Sequence, residues 1–469
     1  MNLKHKLQHP IFATLAQVAE KHNYPTFIVG GFVRDLLLQR PNKDIDIVVE
    51  GNGIEFAKLV ADELYDVKGL SVFKNFGTAM IKLDDLELEF VGARKESYRR
   101  ESRKPIVEDG TIKEDQERRD FTINAMSISL NQVDFGELID PFNGQKHLQE
   151  GLIITPLPPD QTYSDDPLRM LRAMRFASQL HFKVDDASFE SIKKNKDRLS
   201  IVSEERIATE LNKIMESPQP SVGLELLFLS EIMKIILPEV DALQGVDEID
   251  GQTHKDNFYH TIQVVDNTAE TSDNLWLRWA ALLHDIGKPP TKRFDQNVGW
   301  TFHGHEMRGA KMVPRIFKRL KLPLKDTLNY VKELVYLSSR PAALTKDIVS
   351  DSAVRRLLND AGDKIDDLML LVEADITSKN KERVKRYKNN FKEVRVKLKE
   401  IEEKDQVRNF QPPVTGEEIM TTFKIKPGRE IGVLKSAIKE AILEGEIPNE
   451  KEAAFKFMIK KGEELGLKA

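Results

Sequence analysis

Hydrophobic and polar positions predict an opening helix at the start of the chain. Apolar residues recur at three- and four-residue spacing at Leu7, Ile11, Leu15 and Val18, and the helix that they predict stops before Pro25. This spacing places the four side chains on one face of the helix, which predicts that the face packs against a core.

Three of the following stretches have the pattern of β-strands. Phe27 to Val29 is a short apolar run, while Asp44 to Val49 and Leu86 to Phe90 alternate between polar and apolar residues. We therefore expect residues 26–140 to form a small mixed α/β domain.

The pattern changes after Pro159. From Asp166 onward, apolar positions follow helical spacing and strand alternation is nearly absent. Leu275 to Leu283 predicts a buried helix that leads into His284, and residues 381–408 predict a long basic helix. The sequence thus indicates the α+β class, with one α/β head and a long helical remainder.

The amino-acid composition excludes some classes of protein and of metal site. The 469 residues include no cysteine, which excludes disulfides and cysteine-bound metals. With 71 Lys and Arg against 76 Asp and Glu, the net charge of −5 argues against a histone-like binder but allows a local basic surface. No apolar run reaches the roughly 18 residues of a membrane-spanning helix. Residues 1–10 lack the apolar core of a secretory signal, so we expect a cytoplasmic protein.

The first candidate site combines glycines with carboxylates. Gly30 and Gly31 stand between a predicted strand and a predicted helix, where backbone amides suit a phosphate group, although a plain tight turn would give the same pattern. Asp44 and Asp46 lie on one face of a strand, roughly 7 Å apart at about 3.3 Å per residue. Carboxylates so placed suit Mg²⁺, and two such ions support phosphoryl transfer, whereas an isolated pair would more often be a solvated strand edge. The two motifs together favour the phosphoryl-transfer site.

These motifs resemble those of the class II tRNA nucleotidyltransferases, or CCA-adding enzymes, and of the related bacterial poly(A) polymerases, within the DNA polymerase beta superfamily. The resemblance covers about residues 20–460. It implies that Gly30, Gly31 and Arg34 hold the triphosphate, and that Asp44 and Asp46 carry two Mg²⁺ ions. Strand alternation makes Glu89 the candidate third carboxylate, although a strand residue facing water fits equally well.

A second motif, Arg118 to Met126, is similar to the family's ribose-selecting motif. Asp120 can accept a hydrogen bond from a sugar hydroxyl, and Arg119 can meet phosphate. Asn124 is expected to support the turn. The polar segment 93–110 corresponds to a flexible loop of the family.

A third motif, Asp165 to Phe176, is similar to the segment with which the family reads the incoming base. On a helix, Asp166 and Arg169 would share a face, where the carboxylate accepts from the amino group of cytosine or adenine and the arginine donates to the ring. The alternative is a surface ion pair. The family usually has glutamate where this chain has Asp165. Residues 203–211 match a bracing motif, so we expect Glu205 and Arg206 to be structural.

A fourth set of residues resembles the HD metal-dependent phosphohydrolase domain, which is appended to some CCA-adding enzymes. Imidazole and carboxylate groups suit a divalent transition metal, although a lone histidine–aspartate pair is often only a capped core histidine. Some HD proteins have a further histidine in the region where this chain has Ser338, so we expect one metal ion, with His305 as a phosphate or ligand candidate. Its expected ligands are His260, His284, Asp285 and Asp375.

The resemblance therefore implies a two-metal CTP(ATP):tRNA nucleotidyltransferase that builds the tRNA 3′-terminal CCA, with tRNA, CTP and ATP as partners and neither DNA nor a membrane. An A-adding enzyme, a poly(A) polymerase, and an HD phosphohydrolase or 2′,3′-cyclic phosphodiesterase are the alternatives. The implied domains are a head over 1–150, a neck over 151–240, an HD domain over 241–380 and an RNA-binding tail over 381–469.

Overall fold

The protein is described by a computed structural model. It describes residues 1–64, 69–99, 102–245, 248–249, 252–253, 256–345, 350–378 and 380–468. Within these ranges the backbone alone is described for residues 97–99, 102–106, 248–249 and 252–253. The chain forms two compact units, Met1–Ile236 and Leu237–Ala469.

A seven-stranded sheet forms the centre of the first unit, in the order β3-β4-β5-β2-β1-β8-β9. Its strands are β1 (Thr26–Val29), β2 (Asp44–Val49), β3 (Leu70–Phe73), β4 (Thr78–Lys82), β5 (Glu87–Gly92), β8 (Ser127–Ser129) and β9 (Leu138–Ile139). Between β5 and β8 lies a separate antiparallel hairpin of β6 (Arg94–Arg99) and β7 (Ser102–Asp109). Neighbouring strands of the sheet are antiparallel except β2 and β5, which run parallel.

Helices cover the sheet because its apolar side chains must be removed from water. The helices of the head are α1 (Pro10–His22), α2 (Gly31–Leu37), α3 (Gly53–Glu63), α4 (Ile112–Glu117) and α5 (Gly144–Glu150). Phe56 of α3 packs on Phe90 of β5 with ring centroids 6.0 Å apart, and both side chains are fully buried. This packing anchors β5 and, through the strand pairing, β2.

The rest of the first unit is mainly helical. Its elements are β10 (Leu152–Ile153), α6 (Pro159–Asp165), α7 (Leu168–Leu180), β11 (Lys183–Val184), α8 (Asp186–Asn195), α9 (Glu204–Met215), α10 (Pro220–Leu229) and α11 (Ile232–Ile236). Helix α7 is almost wholly buried, because it packs against both α9 and α10.

The second unit is also mainly helical. Its elements are α12 (Pro238–Asp241), β12 (Glu248–Ile249), β13 (Gln252–Thr253), α13 (Asn257–Thr271), α14 (Leu275–Leu283), α15 (Lys288–Thr291), β14 (Arg293–Asp295), β15 (Gly299–Thr301), α16 (His305–Arg319), α17 (Asp326–Leu337), α18 (Arg340–Ala343), α19 (Asp351–Ala361), α20 (Ile365–Ala374), α21 (Lys381–Asp405), α22 (Gly416–Phe423), α23 (Arg429–Glu444) and α24 (Lys451–Glu464). Within the described part of the chain, no helix combines the length and the apolar character needed to span a bilayer.

The structure confirms the α+β class and most of the elements predicted from the pattern. Strand Asp44–Val49 and helix Leu275–Leu283 have the predicted limits. In the segment 93–110, which corresponds to a flexible loop of the family, the described residues of β6 and β7 pair as an antiparallel hairpin. Residues 100–101 of this segment lie outside the described residues.

The buried aromatic pair of the head predicts a stability effect. Replacing Phe90→Ala leaves a cavity beneath β5 and should lower the free energy of unfolding by about 3–5 kcal/mol. Urea denaturation followed by circular dichroism measures this change. The control is Val133→Ala, because the Val133 side chain is 99% exposed and should change stability by less than about 0.5 kcal/mol. Equal stability of the two variants would contradict the packing described.

Candidate active site

A cleft in the first unit collects charged side chains of both signs. Its volume is about 790 Å³. Acidic residues on its lining are Asp44, Asp46, Glu87, Glu89, Asp120 and Asp166. Basic residues on its lining are Arg34, Arg118, Arg119, Arg169, Arg172, Arg175, Arg206 and Lys213. Gly30, Gly31 and Asn124 also line the cleft. The structure therefore brings together all ten residues that the sequence predicts for the catalytic and nucleotide-binding site of a nucleotidyltransferase.

The parallel pairing of β2 with β5 creates the acidic side of the cleft. Asp44 lies opposite Glu87 and Asp46 opposite Glu89, and paired strands are about 4.8 Å apart. Burial raises the pKa of Asp46, and the nearby Glu89 and Asp44 carboxylates raise it further, while Arg119 opposes them. Carboxylates gathered in this way are costly without a cation, and they offer the hard oxygen ligands that Mg²⁺ prefers. The residues present therefore fit a magnesium site.

Gly30 permits the close contact between the two sides of the cleft. Its φ of +74° lies in the region that favours glycine. A Cβ atom there would lie 3.0 Å from the Arg119 guanidinium and 3.1 Å from the Asp46 carboxylate. The glycine thus keeps Asp46 and Arg119 close together, a reason for its presence that the sequence alone did not reveal.

Arg34 is bound to other side chains at the cleft wall. Its guanidinium donates to both carboxylate oxygens of Asp35, at 2.9 Å each, and to Asn124 Oδ1 at 2.8 Å. Its face lies over the Phe176 ring, 5.1 Å from the centroid. Arg34 is therefore held rigidly, and a phosphate would meet a guanidinium that is already oriented.

Sequence reasoning missed Asp115, which holds two arginines of the cleft. Its side chain is fully buried, and Arg118 donates to one oxygen while Arg119 donates to the other, with Nε distances of 2.9 and 3.1 Å. Burial by itself raises the pKa of Asp115, but the two guanidinium groups outweigh this effect and lower it. Arg118 and Arg119 follow Asp115 by three and four residues, a helical spacing from which the contacts could have been predicted.

Asp120 is similarly engaged. Its Oδ1 accepts from Phe121 N at 2.8 Å and from Asn124 Nδ2 at 3.1 Å, and its Oδ2 accepts from Arg172 Nε at 2.7 Å. Burial by itself raises the pKa of Asp120, but Arg172 and Asn124 outweigh it and lower the pKa to about 2. Asn124 thus links Asp120 to Arg34, from whose guanidinium it accepts at 2.8 Å.

The structure corrects the placement of the two predicted base readers. Asp166 does not lie on a helix with Arg169, because Pro167 separates it from α7 and its backbone is extended, with φ −130° and ψ 98°. Its Oδ1 accepts from Leu168 N at 3.2 Å, so Asp166 stands at the start of α7. Both side chains nevertheless line the cleft.

Two further residues support the wall formed by α7. Arg175 lies over the Phe176 ring at 4.3 Å and pairs with the buried Glu210 of α9 at 3.2 Å. Burial lowers the pKa of Arg175 to about 10. Glu210 was missed by sequence reasoning, and Arg206, which was expected to be structural, is exposed and lines the cleft.

The second unit places the four predicted HD residues together. His260 Nε2 lies 2.7 Å from Asp375 Oδ1 and 3.7 Å from Asp285 Oδ2. His284 Nε2 lies 3.3 Å from Asp285 Oδ2 and 3.7 Å from Asp375 Oδ1. His305 approaches the other oxygen of Asp285 at 3.6 Å. The four side chains converge on one point even though they come from α13, α14 and α20 or the residues that follow those helices.

The histidine rings are oriented for metal binding. Nδ1 of His260 hydrogen-bonds Thr377 at 2.8 Å and Nδ1 of His284 hydrogen-bonds the Ala281 carbonyl at 2.8 Å, which directs both Nε2 atoms inward. His284 Nε2 is buried without a hydrogen-bond partner. The ligand atoms of His260, His284 and Asp285 lie within 4.8 Å of one another, so the cluster fits a divalent metal ion.

Charges in this cluster reinforce one another. Burial by itself lowers the pKa of His284, but Asp285 and Asp375 outweigh it and raise the pKa to about 10. Conversely, His284 and Lys288 lower the pKa of Asp285 against the effect of burial. Lys288 donates to Asp285 Oδ2 at 2.6 Å.

Three family models match separate parts of the chain between residues 26 and 380. The poly A polymerase head domain matches residues 26–154, the probable RNA and SrmB-binding site of polymerase A matches residues 181–244, and the HD domain matches residues 257–380. Together with the charged cleft and the histidine–aspartate cluster, these matches define a nucleotidyltransferase that carries an HD domain.

Curated relatives identify the kind of nucleotidyltransferase to which the chain is similar. The A-adding tRNA nucleotidyltransferase of Deinococcus radiodurans is 30% identical over 358 residues, covering 73% of this chain and 78% of that protein. The multifunctional CCA protein of Neisseria gonorrhoeae is 33% identical over 310 residues, covering 64% of this chain and 70% of that protein. The chain belongs to the tRNA nucleotidyltransferase family.

Other matches differ in coverage. The A-adding tRNA nucleotidyltransferase of Aquifex aeolicus is 33% identical over 387 residues, which span 80% of this chain but 42% of that protein. A solved tRNA nucleotidyltransferase complexed with a primer tRNA and an incoming ATP analog is 29% identical, covers 81% of this chain and 99% of its own, and has a TM-score of 0.57. The Thermotoga maritima CCA-adding enzyme complexed with tRNA is 24% identical over 98% of this chain and 99% of its own, with a TM-score of 0.62, which shows a shared fold.

The low pKa of Asp120 predicts a pH-dependent contribution to stability. Because the folded-state pKa, about 2, lies below the ordinary value of 3.8, the contribution is present above that ordinary value and is lost as the pH falls through 2. The stability advantage of the native protein over Asp120→Asn should therefore be about 1 kcal/mol smaller at pH 3 than at pH 5.

Urea denaturation of the full chain at both pH values measures this difference. Asp62→Asn is the control, because it makes the same change at an exposed residue of α3. If the difference in the free energy of unfolding between the native protein and Asp120→Asn is the same at pH 3 and pH 5, the buried ion pair is contradicted.

Proposed function

We propose that this protein is a template-independent tRNA nucleotidyltransferase that builds or repairs the tRNA 3′-terminal CCA from CTP and ATP. The observation that carries the proposal is the single cleft in which paired carboxylates face a wall of arginines already fixed by buried acids. The carboxylates suit metal-assisted phosphoryl transfer, and the arginines suit a nucleoside triphosphate.

Asp44 and Asp46 would hold two Mg²⁺ ions, and Glu89 is placed to assist because it is paired with Asp46 in the strand register. When bound, the ions lower the pKa of the RNA 3′-hydroxyl and neutralise the leaving pyrophosphate. Gly30 allows the backbone to lie close to Asp46 and Arg119, and the amide of Gly31 begins α2 at the same place, where a phosphate group would be bound. Arg34 and Arg119 supply positive charge from the opposite side.

Base selection would depend on Asp166 and Arg169. A carboxylate accepts from the amino group of cytosine or adenine, whereas uracil and guanine present a carbonyl oxygen at that position. Such a base leaves the carboxylate unpaired, which is a strong basis for rejection. Arg169 is buried apart from 9% of its surface, so its position is well defined.

Sugar recognition at Asp120 would use the acceptor capacity that its present partners leave. Its two oxygens accept from Phe121 N, Asn124 and Arg172, and a carboxylate offers about four acceptor positions. Arg172 of α7 and Asn124 both line the cleft, so a sugar hydroxyl bound to Asp120 would lie beside these two donors.

A tRNA partner is supported by the relatives named as tRNA nucleotidyltransferases and by the 29% identical structure complexed with a primer tRNA and an incoming ATP analog. In the second unit, helix α21 lines one groove with Lys381, Lys385, Lys388 and Lys392. Lysines that follow a helical face suit the phosphate backbone of RNA. A role in adding A alone is the nearest alternative, because two of the curated relatives are A-adding enzymes. A cytoplasmic location fits a tRNA substrate.

Replacing Asp44→Ala tests the catalytic assignment. Loss of a metal-binding carboxylate should reduce nucleotide incorporation by at least about 10³-fold, with little effect on folding. The measurement is the product length, at single-nucleotide resolution, after incubation with Mg²⁺, CTP, ATP and tRNA that lacks its terminal CCA. The control is Asp62→Ala, which removes an exposed carboxylate of α3 and should incorporate normally.

The products also distinguish the alternatives. Completion of CCA followed by a stop supports the proposal, while addition of A alone to tRNA ending in CC indicates an A-adding enzyme. A long ladder of A indicates a poly(A) polymerase. Normal incorporation by Asp44→Ala would overturn the assignment of the cleft.

A second function is favoured by the orphaned Nε2 atom of His284 in the HD cluster. We propose that His260, His284, Asp285 and Asp375 hold one divalent transition metal, which when bound activates water for attack on a phosphoester. Lys288 holds Asp285 in place, and His305 is close enough to bind a substrate phosphate. Phosphomonoesters and 2′,3′-cyclic phosphates are the expected substrate classes.

Replacing His284→Ala tests this second function. The variant should lose the bound metal and all hydrolysis of 2′,3′-cyclic AMP, because removal of one ligand abolishes a four-ligand site. Metal content by mass spectrometry and hydrolysis after loading with Mn²⁺ or Ni²⁺ are the measurements. His303→Ala, which changes an exposed histidine on the approach to α16, is the control. A native protein that binds metal without hydrolysing the ester would show that the cluster is structural.

A further inference from the structure

Asn42 occupies a position between two motifs of the cleft that are separated in the sequence. It lies two residues before the start of β2, is half-buried and lines the cleft. Its Nδ2 donates to Asp35 Oδ2 at 2.7 Å, and its Oδ1 accepts from the backbone N–H of Asp44 at 2.9 Å. The Asn42 amide therefore connects the Asp35 carboxylate to the backbone of Asp44.

These bonds continue into a longer chain. Asp35 is itself fixed by both ends of the Arg34 guanidinium, and Arg34 donates to Asn124. Asn124 donates to Asp120, which accepts from Arg172 of α7. An uninterrupted series of hydrogen bonds therefore runs from the helix that follows the base reader Asp166 to the backbone of Asp44.

Asp44 needs such support because of where it lies. It is the first residue of β2 and its side chain is exposed, so packing does not fix it. Only a side chain that donates and accepts at once can satisfy Asp35 and the Asp44 amide together, and an amide group does both. Aspartate at this position would place a second anion against Asp35, and alanine would leave both partners unmatched.

We propose that Asn42 is a positioning residue that fixes Asp44 relative to the arginine wall of the cleft. The proposal rests on the assignment of Asp44 to catalysis under the proposed function. Asn42 itself touches no reacting atom. Residues of this kind, which orient a metal ligand, typically affect activity by about 10–100-fold.

The test compares Asn42→Ala, Asn42→Ser and a matched control. The serine hydroxyl can still accept from the N–H two residues on, so Asn42→Ser retains the contact with Asp44 and loses the contact with Asp35. Asn52→Ala is the control, because Asn52 makes the same kind of local contact, accepting from Ile54 N at 3.0 Å, at the start of α3. Melting temperatures of all variants show whether they fold.

Two measurements are made on each variant. The first separates kcat from KM for nucleotide incorporation: Asn42→Ala should lower kcat by about 10–100-fold and change KM for the nucleotide by less than about 3-fold. Asn42→Ser should recover part of kcat. The second measures amide hydrogen exchange of the peptide containing Asp44 in metal-free protein, which should be faster in Asn42→Ala and normal in Asn52→Ala.

The outcomes separate this proposal from the proposed function. If the native protein adds no nucleotide to tRNA, the proposed function fails, but faster exchange at Asp44 in Asn42→Ala still supports the positioning of Asp44 by Asn42. If the native protein is active while Asn42→Ala has normal kcat and normal exchange at Asp44, the positioning role is overturned. A loss of kcat that Asn52→Ala reproduces would also overturn it, because the effect would then be general.

Discussion

The pairing of buried carboxylates with arginines is the interaction on which the cleft of the first unit depends. Asp35, Asp115 and Asp120 each lie against the wall and each accept from at least one guanidinium group. A buried charge without a partner costs several kcal/mol, so neither member of a pair can be removed cheaply. The pairs also fix where the arginines point. Under the proposed function, these arginines are in place before a triphosphate binds, which lowers the cost of ordering side chains on binding.

The sheet provides the other side of the cleft. Because β2 and β5 are parallel and in register, their acidic residues face one another across adjacent strands. The fold thus separates the two kinds of charge: the paired carboxylates lie on adjacent strands, and the arginines come from α2, from the residues that follow α4 and from α7. Beside Gly30, a side chain from each side of the cleft, Asp46 and Arg119, lies next to the backbone. The histidine–aspartate cluster of the second unit follows the same logic, since main-chain and hydroxyl contacts at Nδ1 direct each imidazole toward a shared centre.

Sequence periodicity predicted the elements well where the spacing is local. The alternation at Asp44–Val49 predicted the strand and the common face of its two aspartates, because side chains two residues apart on a strand point to the same face. Contacts between distant segments were not predictable in this way. Arg172 and Asp120 are 52 positions apart, and Arg175 and Glu210 are 35 apart, so nothing local marks them as partners. The three-residue spacing predicted that Asp166 lies on the same helix as Arg169. Asp166 is extended instead, because the residue before a proline favours extended backbone.

Equilibrium binding of nucleotides tests most directly the claim that the protein itself, through a cleft arranged in advance, selects the incoming base. The measurement is calorimetric titration of the RNA-free protein with each of the four ribonucleoside triphosphates under one salt condition. The account predicts that CTP or ATP, or both, bind at least about 10-fold more tightly than UTP and GTP, a difference of about 1.4 kcal/mol. Equal affinity for all four would contradict it, because the cleft would then recognise the triphosphate alone.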